Sequence, residues 1–167
     1  MGFKVAFYKG TSRKPIAALT QWAIRFWTLG KYCHVEFIDD HGFREARRWT
    51  WYGATSFSPG RTCARPIEFK SAHWDVFDLP HDVDYTPAIK WGKQNLGRHY
   101  DWLGIFLSQF VQMGIHSYDK FFCSEFSMEQ LQKTRLLRGD TTPANKYSPN
   151  SMFRKLKKMG ALKKWQK

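Results

Sequence analysis

The sequence predicts an α+β domain, an antiparallel β-sheet packed against helices, and three observations carry that expectation. The chain has 167 residues, a usual length for one domain. Its composition is 43% hydrophobic and 17% aromatic, with 8 Trp and 14 Phe, which is enough apolar surface for a real core and too much for a disordered chain. The patterned segments run as one helix, a β meander and then helices, an order that belongs to α+β folds rather than to alternating βαβ units.

Lys4 to Tyr8 alternates as a strand. Pro15 to Leu29 follows as a helix, with Ile16, Leu19, Ala23 and Phe26 or Trp27 on its apolar side and Gly30 as its stop. Cys33 to Asp39 reads as a strand, Asp40 to Gly42 as a turn, and Phe43 to Trp49 as the returning arm of a hairpin. The stretch from Tyr52 to Arg65 is rich in Gly, Ser, Thr and Pro and reads as a loop; Ile67 to Phe69 and Trp74 to Leu79 read as further short strands. Asp84 to Leu96, Tyr100 to Val111 and Phe126 to Leu137 have helical patterns, and Ser148-Pro149-Asn150-Ser151 opens a last helix that runs to Lys164. No repeat, low-complexity linker or composition break divides the chain, so residues 1–167 form one domain with a basic C-terminal helix at about 151–167.

Charge and cysteine usage bound the setting. The formal net charge is +13, and residues 133–167 hold 11 Lys and Arg against the single acid Asp140, which leaves +3 for residues 1–132. A basic tail of this kind favours anionic partners: an anionic membrane, a cell-wall polymer or, less favoured, nucleic acid. Met152, Phe153, Leu156, Met159 and Leu162 recur at helical spacing among Lys155, Lys157, Lys158, Lys163 and Lys164, the pattern of a basic amphipathic helix. Three cysteines, Cys33, Cys63 and Cys123, frame neither a disulfide scaffold nor a compact zinc site; His34 and His41 do not complete one either. The longest charge-free run, Trp102 to Tyr118, is too short and polar to span a bilayer, and no secretory signal is visible. The expectation is a soluble chain in a reducing, by default cytoplasmic, compartment.

Two segments carry chemistry. In Phe121-Phe122-Cys123-Ser124-Glu125-Phe126 a cysteine stands where an apolar run turns into a helix. Backbone N–H groups at a helix start favour negative charge, so a thiol there is drawn toward the thiolate, and the same N–H groups can hold an oxyanion. Otherwise such a cysteine is a small core hydrophobe. In the strand Cys33-His34-Val35-Glu36-Phe37-Ile38, His34, Glu36 and Ile38 share one face, and Cys33 lies on the other. If the turn pairs Ile38 with Phe43, Glu36 opposes Glu45, His34 opposes Arg47, and Glu45 lies diagonal to His34, at roughly 7–8 Å between backbones. A carboxylate there would orient the imidazole and favour its protonated form.

Taken in order, Tyr32-Cys33-His34-Val35-Glu36-Phe37-Ile38, Arg44-Glu45-Ala46, Tyr100-Asp101-Trp102-Leu103, Phe122-Cys123-Ser124-Glu125-Phe126 and Tyr147-Ser148-Pro149-Asn150 resemble successive motifs of one family. It is the circularly permuted branch of the NlpC-type, papain-like cysteine hydrolases, the YiiX/YebB-like group, with lecithin-retinol acyltransferase as a distant relative. The likeness runs from about Lys4 to Phe153. In this branch the His strand precedes the Cys helix, as His34 precedes Cys123. The resemblance implies a circularly permuted papain-like fold, Cys123 as nucleophile, His34 as general base and Glu45 as the third, orienting residue, with Glu36 as its rival. It also puts Tyr100 and Ser124 forward as substrate or oxyanion contacts, and it implies neither metal nor organic cofactor. The sequence departs from the family in having Cys33, rather than a small Ser, before the histidine.

The function so implied is a thiol hydrolase working through an acyl-enzyme at Cys123, on cell-wall peptide amides or on lipid amides or esters. Delivery by a virion is compatible with such an enzyme lacking a leader. A different class of reading, a non-catalytic basic module for membrane or nucleic acid, explains the charge but not the order of the motifs.

Overall fold

The computed structural model describes residues 3–10, 15–39, 49–54, 61–67, 72–100 and 120–165. It is α+β. Strands β1 (Phe3–Tyr8), β2 (His34–Asp39), β3 (Trp49–Ala54), β4 (Thr62–Ile67), β5 (Trp74–Asp78) and β8 (Lys163–Lys164) form one six-stranded sheet in the order β4-β3-β2-β1-β5-β8. All its pairings are antiparallel. Helix α1 (Pro15–Trp27) lies between β1 and β2; α2 (Thr86–Gln94), α3 (Cys123–Gln132) and α4 (Pro149–Lys158) come between β5 and β8. A second, parallel pair joins β6 (His99–Tyr100) to β7 (Lys120–Phe121), setting Tyr100 beside Phe121.

The central strand β1 is buried on both faces. Val5 and Phe7 join Val35 and Phe37 in the main core with Met128 and Leu131 of α3 and Met152 and Leu156 of α4. Ala6 packs on the opposite face with Ile38 and Val76, against Trp74 and Trp165. Even Lys4 is buried at its end of the strand, where its ammonium meets Asp78 at 3.3 Å in the neighbouring strand. A lysine can be held there because a carboxylate offsets its desolvation.

Several boundaries differ from the sequence expectation, each for a local reason. The arm returning from β2 is Trp49–Ala54, with Phe37 opposite Tyr52 and Ile38 opposite Trp51. The expected Ile38–Phe43 pairing is therefore not the register of the sheet; residues 40–48, Glu45 among them, lie outside those described. Trp49-Thr50-Trp51-Tyr52 is the aromatic and β-branched run that suits a strand, and it overrides the Gly and Ser behind it. Part of the expected loop is strand β4, whose Pro66 is tolerated because β4 lies at the sheet edge. Tyr100 belongs to a short strand rather than to a helix start, and residues 101–119 lie outside those described.

The last helix stops at Lys158, not at Lys164. Gly160 follows with φ 69°, the left-handed geometry that glycine adopts most readily, and the N–H groups of Gly160 and Ala161 return to Lys157 O and Leu156 O. The tail then pairs with β5, and Trp165 N–H donates to Val76 O at 3.0 Å. The expected amphipathic helix at 151–167 is thus a helix of ten residues and a structural edge strand. Helix α1 also departs from expectation. Leu19 and Phe26 point outward with Trp22, while Arg25 Nη1 donates to Lys9 O at 2.9 Å on the inner side.

Deleting residues 161–167 removes β8, buried Ala161 and the Trp165 cover of the second core. The truncated chain is expected to lose about 2–4 kcal/mol of stability in urea denaturation, at a slope close to that of the full chain.

Candidate active site

Cys123 is the first residue of α3, directly after β7. Its position is set from two sides. Behind it, β7 pairs with β6, which follows a turn held by Thr62 of β4: Thr62 N–H donates to Arg98 O at 2.8 Å, and Arg98 N–H donates to Thr62 Oγ1 at 3.0 Å. Ahead of it, Phe126 closes a triangle of rings with Trp91 and Phe121, centroids 5.2–5.6 Å apart. Helix α3 itself is buried over most of its length, so its start is fixed by core packing.

Glu125, at the third helical position, accepts the Phe122 N–H at 3.4 Å, one half of a capping box. Phe122 contributes no side-chain cap. The first-turn N–H groups of Cys123 and Ser124 have no intrahelical acceptor, as at every helix start, and so can hold a negative oxygen. The Ser124 hydroxyl is sealed from solvent and has no hydrogen-bond partner among the described residues. Any contribution from Ser124 to an oxyanion is therefore through its N–H. Tyr100 comes close through its backbone, beside Phe121.

His34 opens β2, opposite Tyr8 of β1. Its Nε2 contacts Glu36 Oε1, two residues along on the same strand face. Its ring also meets Trp74 edge-on at 6.2 Å. The imidazole is 22% exposed whereas the Glu36 side chain is 1% exposed, so the imidazole reaches the surface and the carboxylate does not. Burial works against charge on the imidazole, but the Glu36 carboxylate, the charge on Cys123 and hydrogen bonds to both outweigh it and raise the His34 pKa well above 6.5. The structure therefore brings together Cys123, His34 and Glu36. Glu36, the rival, is the carboxylate in contact with His34, while Ile38 pairs with Trp51 rather than Phe43 and Glu45 lies outside the described residues.

The second thiol is of a different kind. Cys33 is buried beneath Gly10, its Sγ donates weakly to Tyr8 O at 3.6 Å, and burial together with the nearby Cys123 pushes its pKa up to about 12. Among the described residues no group of His, Cys, Asp and Glu is arranged to hold a metal ion.

Asn150 is the functional residue that motif reading left without a role. Its Oδ1 accepts Tyr32 N–H at 3.0 Å, and its Nδ2 donates to Tyr32 O at 2.7 Å and to Thr28 Oγ1 at 2.6 Å. One buried amide thus clamps the turn that delivers His34 into β2. Gly30 lies against it so closely that a Cβ would run into the Asn150 side chain. The helix terminator is Leu29, at φ 48°, and Gly30 is needed for this approach. The sequence signal was the pairing of a glycine just ahead of the histidine strand with an Asn at a distant helix start, which only the contact reveals.

No protein-family model and no curated protein matches the chain. Among the described residues, no helix is long and apolar enough to cross a membrane.

Asn150→Ala is expected to cost about 2–4 kcal/mol, because it removes the Asn150 partner of the backbone N–H and of the backbone C=O of Tyr32, and Gly30→Ala to be destabilising by steric conflict at the same point; urea denaturation checks both. For His34 the sign is that of a raised pKa. Its contribution to stability is complete below 6.5 and is lost as pH rises through the folded value. Relative to His34→Gln, the wild-type chain should therefore be more stable at about pH 6 than at about pH 9, read from urea midpoints.

Proposed function

We propose that the protein is a thiol hydrolase of circularly permuted papain-like type, which transfers an acyl group to Cys123 and then to water. One observation carries the reading: a cysteine at a helix start hydrogen-bonded to an imidazole whose other neighbour is a buried carboxylate. The order of the motifs in the chain supports it as well.

The chemistry follows from these three groups. A Cys–His pair reacts through a thiolate and an imidazolium, and the Glu36 carboxylate favours the protonated form of His34. The sulfur attacks the acyl carbonyl carbon; a C–S bond forms, and the oxygen becomes an oxyanion facing the first-turn N–H groups of α3. His34 gives its proton to the departing amine or alkoxide as the C–N or C–O bond breaks. Neutral His34 then takes a proton from water, whose oxygen attacks the thioester. Collapse releases the carboxylic acid, the thiolate leaves, and the imidazolium is restored. Cell-wall peptide amides and lipid amides or esters both fit this scheme.

Limiting iodoacetamide near pH 6, followed by peptide mapping, should modify Cys123 before Cys33 and Cys63. His34→Ala should slow that alkylation by about a hundredfold or more, and Glu36→Gln by about tenfold. Glu45→Gln should leave the rate nearly unchanged. Preferential labelling of another cysteine, or full reactivity in His34→Ala, would refute the reading and favour a non-catalytic basic module. Mass spectrometry after incubation with candidate acyl donors then identifies the substrate class by the adduct at Cys123.

A further inference from the structure

Helix α1 meets its neighbours with polar groups along one edge: Arg25 reaches Lys9 O, Gln21 lies against Gly10, and Thr28, just past its end, takes the Asn150 amide. Its outer side is apolar: Leu19 is 66% exposed, Trp22 54%, Phe26 63% and the following Leu29 84%. At about 100° per residue Leu19, Trp22 and Phe26 fall within an arc of about 60°, so they form a single stripe, which Leu29 follows just past the helix end. Trp22 and Phe26 stack at 5.2 Å with planes 15° apart, which holds the rings outward as a unit.

Leu29 adds an independent observation. The Gly30 N–H returns to Arg25 O and the Leu29 N–H to Phe26 O, a Schellman ending whose left-handed residue is Leu29 at φ 48°. Glycine or asparagine is favoured there, and a leucine is strained by roughly 1–2 kcal/mol. Neither backbone preference nor the core accounts for a leucine in this place, since its side chain touches water. Placement at an apolar surface would.

The charge around the stripe says which surface. Arg154 Nη1 donates to Leu29 O at 3.4 Å, which seats the middle of α4 against the end of the stripe, and Lys157 and Lys158 follow one turn on, all exposed. Residues 1–35 contain no Asp or Glu, and neither do residues 141–167. An apolar stripe with aromatic rings, flanked by the exposed cations Arg154, Lys157 and Lys158, is complementary to an anionic phospholipid surface: rings and leucines enter the acyl boundary, and cations meet the head groups.

We propose that α1, with the adjoining face of α4, docks the protein onto anionic phospholipid bilayers, lying in the interface without crossing it. This surface is separate from Cys123 and stands whether or not the hydrolase reading does.

The test is co-sedimentation of the full chain with phosphatidylcholine vesicles and with mixed phosphatidylcholine–phosphatidylglycerol vesicles, alongside binding to soluble heparin. The wild-type chain should pellet with the mixed vesicles in preference to the neutral ones. Trp22→Ser/Phe26→Ser should lower that partitioning by about tenfold while leaving heparin binding, circular dichroism and Cys123 alkylation unchanged. Arg154→Glu/Lys158→Glu should abolish the preference for phosphatidylglycerol. Three results would overturn the proposal: no vesicle binding by the wild-type chain, vesicle binding equal in the Trp22→Ser/Phe26→Ser variant, or a concentration-dependent dimer lost in that variant, which would assign the stripe to a second copy of the chain.

Discussion

A carboxylate buried on the face of a β-sheet is the constraint on which the rest of the site depends. Glu36 is fully buried, and its nearest cationic partner along the strand is His34. A charge in that position is tolerated only with a partner held at close range, and the partner is correspondingly held in its protonated form. The strand alternation that sets His34 and Glu36 on one face therefore does more than position two side chains. It couples the protonation of an accessible imidazole to a carboxylate that solvent does not reach.

The remaining architecture can be understood as the means of holding two distant chain segments against that pair. Helix α3 arrives through β7, which is tied by β6 to the turn around Thr62, and it is wedged by Trp91, Phe121 and Phe126. The turn into β2 arrives through Asn150 and Tyr32. Tyr32 is anchored at its other end, where its hydroxyl donates to Asp75 at 2.8 Å, itself paired with Lys31 and Lys9. Asp140 is a comparable anchor under α4: it accepts from Tyr147 Oη at 2.8 Å and pairs with Lys155 at 3.0 Å, and these contacts hold its carboxyl down at about 2. Polar groups of this kind are stabilising only when every member is satisfied, and each of these carboxylates is met by a hydroxyl and a lysine.

The basic tail has two parts with different duties. Residues 163–165 complete the sheet edge and cover its second face, so their role is structural before it is electrostatic. The exposed cations Arg154, Lys157 and Lys158 belong instead to α4, next to the outward stripe of α1. Charge that looks like one run in the chain is divided by Gly160 into a surface and an edge strand.

Much of this was legible in the residues themselves. Alternation marked β1, β2 and β5, Pro and Ser-Pro marked the starts of α1 and α4, and period two alone placed His34 and Glu36 on one face, because these signals are local and backbone geometry enforces them. The turn from apolar run to helix at Cys123 was legible too, although the periodicity pointed to Phe126–Leu137 and the helix runs Cys123–Gln132. What only the tertiary structure decided was long-range. The hairpin register depended on which of two aromatic stretches would pair with β2, and that choice determined whether Glu45 could lie diagonal to His34. The exposure of Leu19 and Phe26 depended on which edge of α1 meets Lys9, Gly10 and Asn150, and the apolar periodicity alone does not say that these two residues face outward. The clamp of Asn150 on Tyr32 spans 118 residues of sequence. Periodicity reports that one side of an element differs from the other; which side is buried is set by the neighbours the fold supplies.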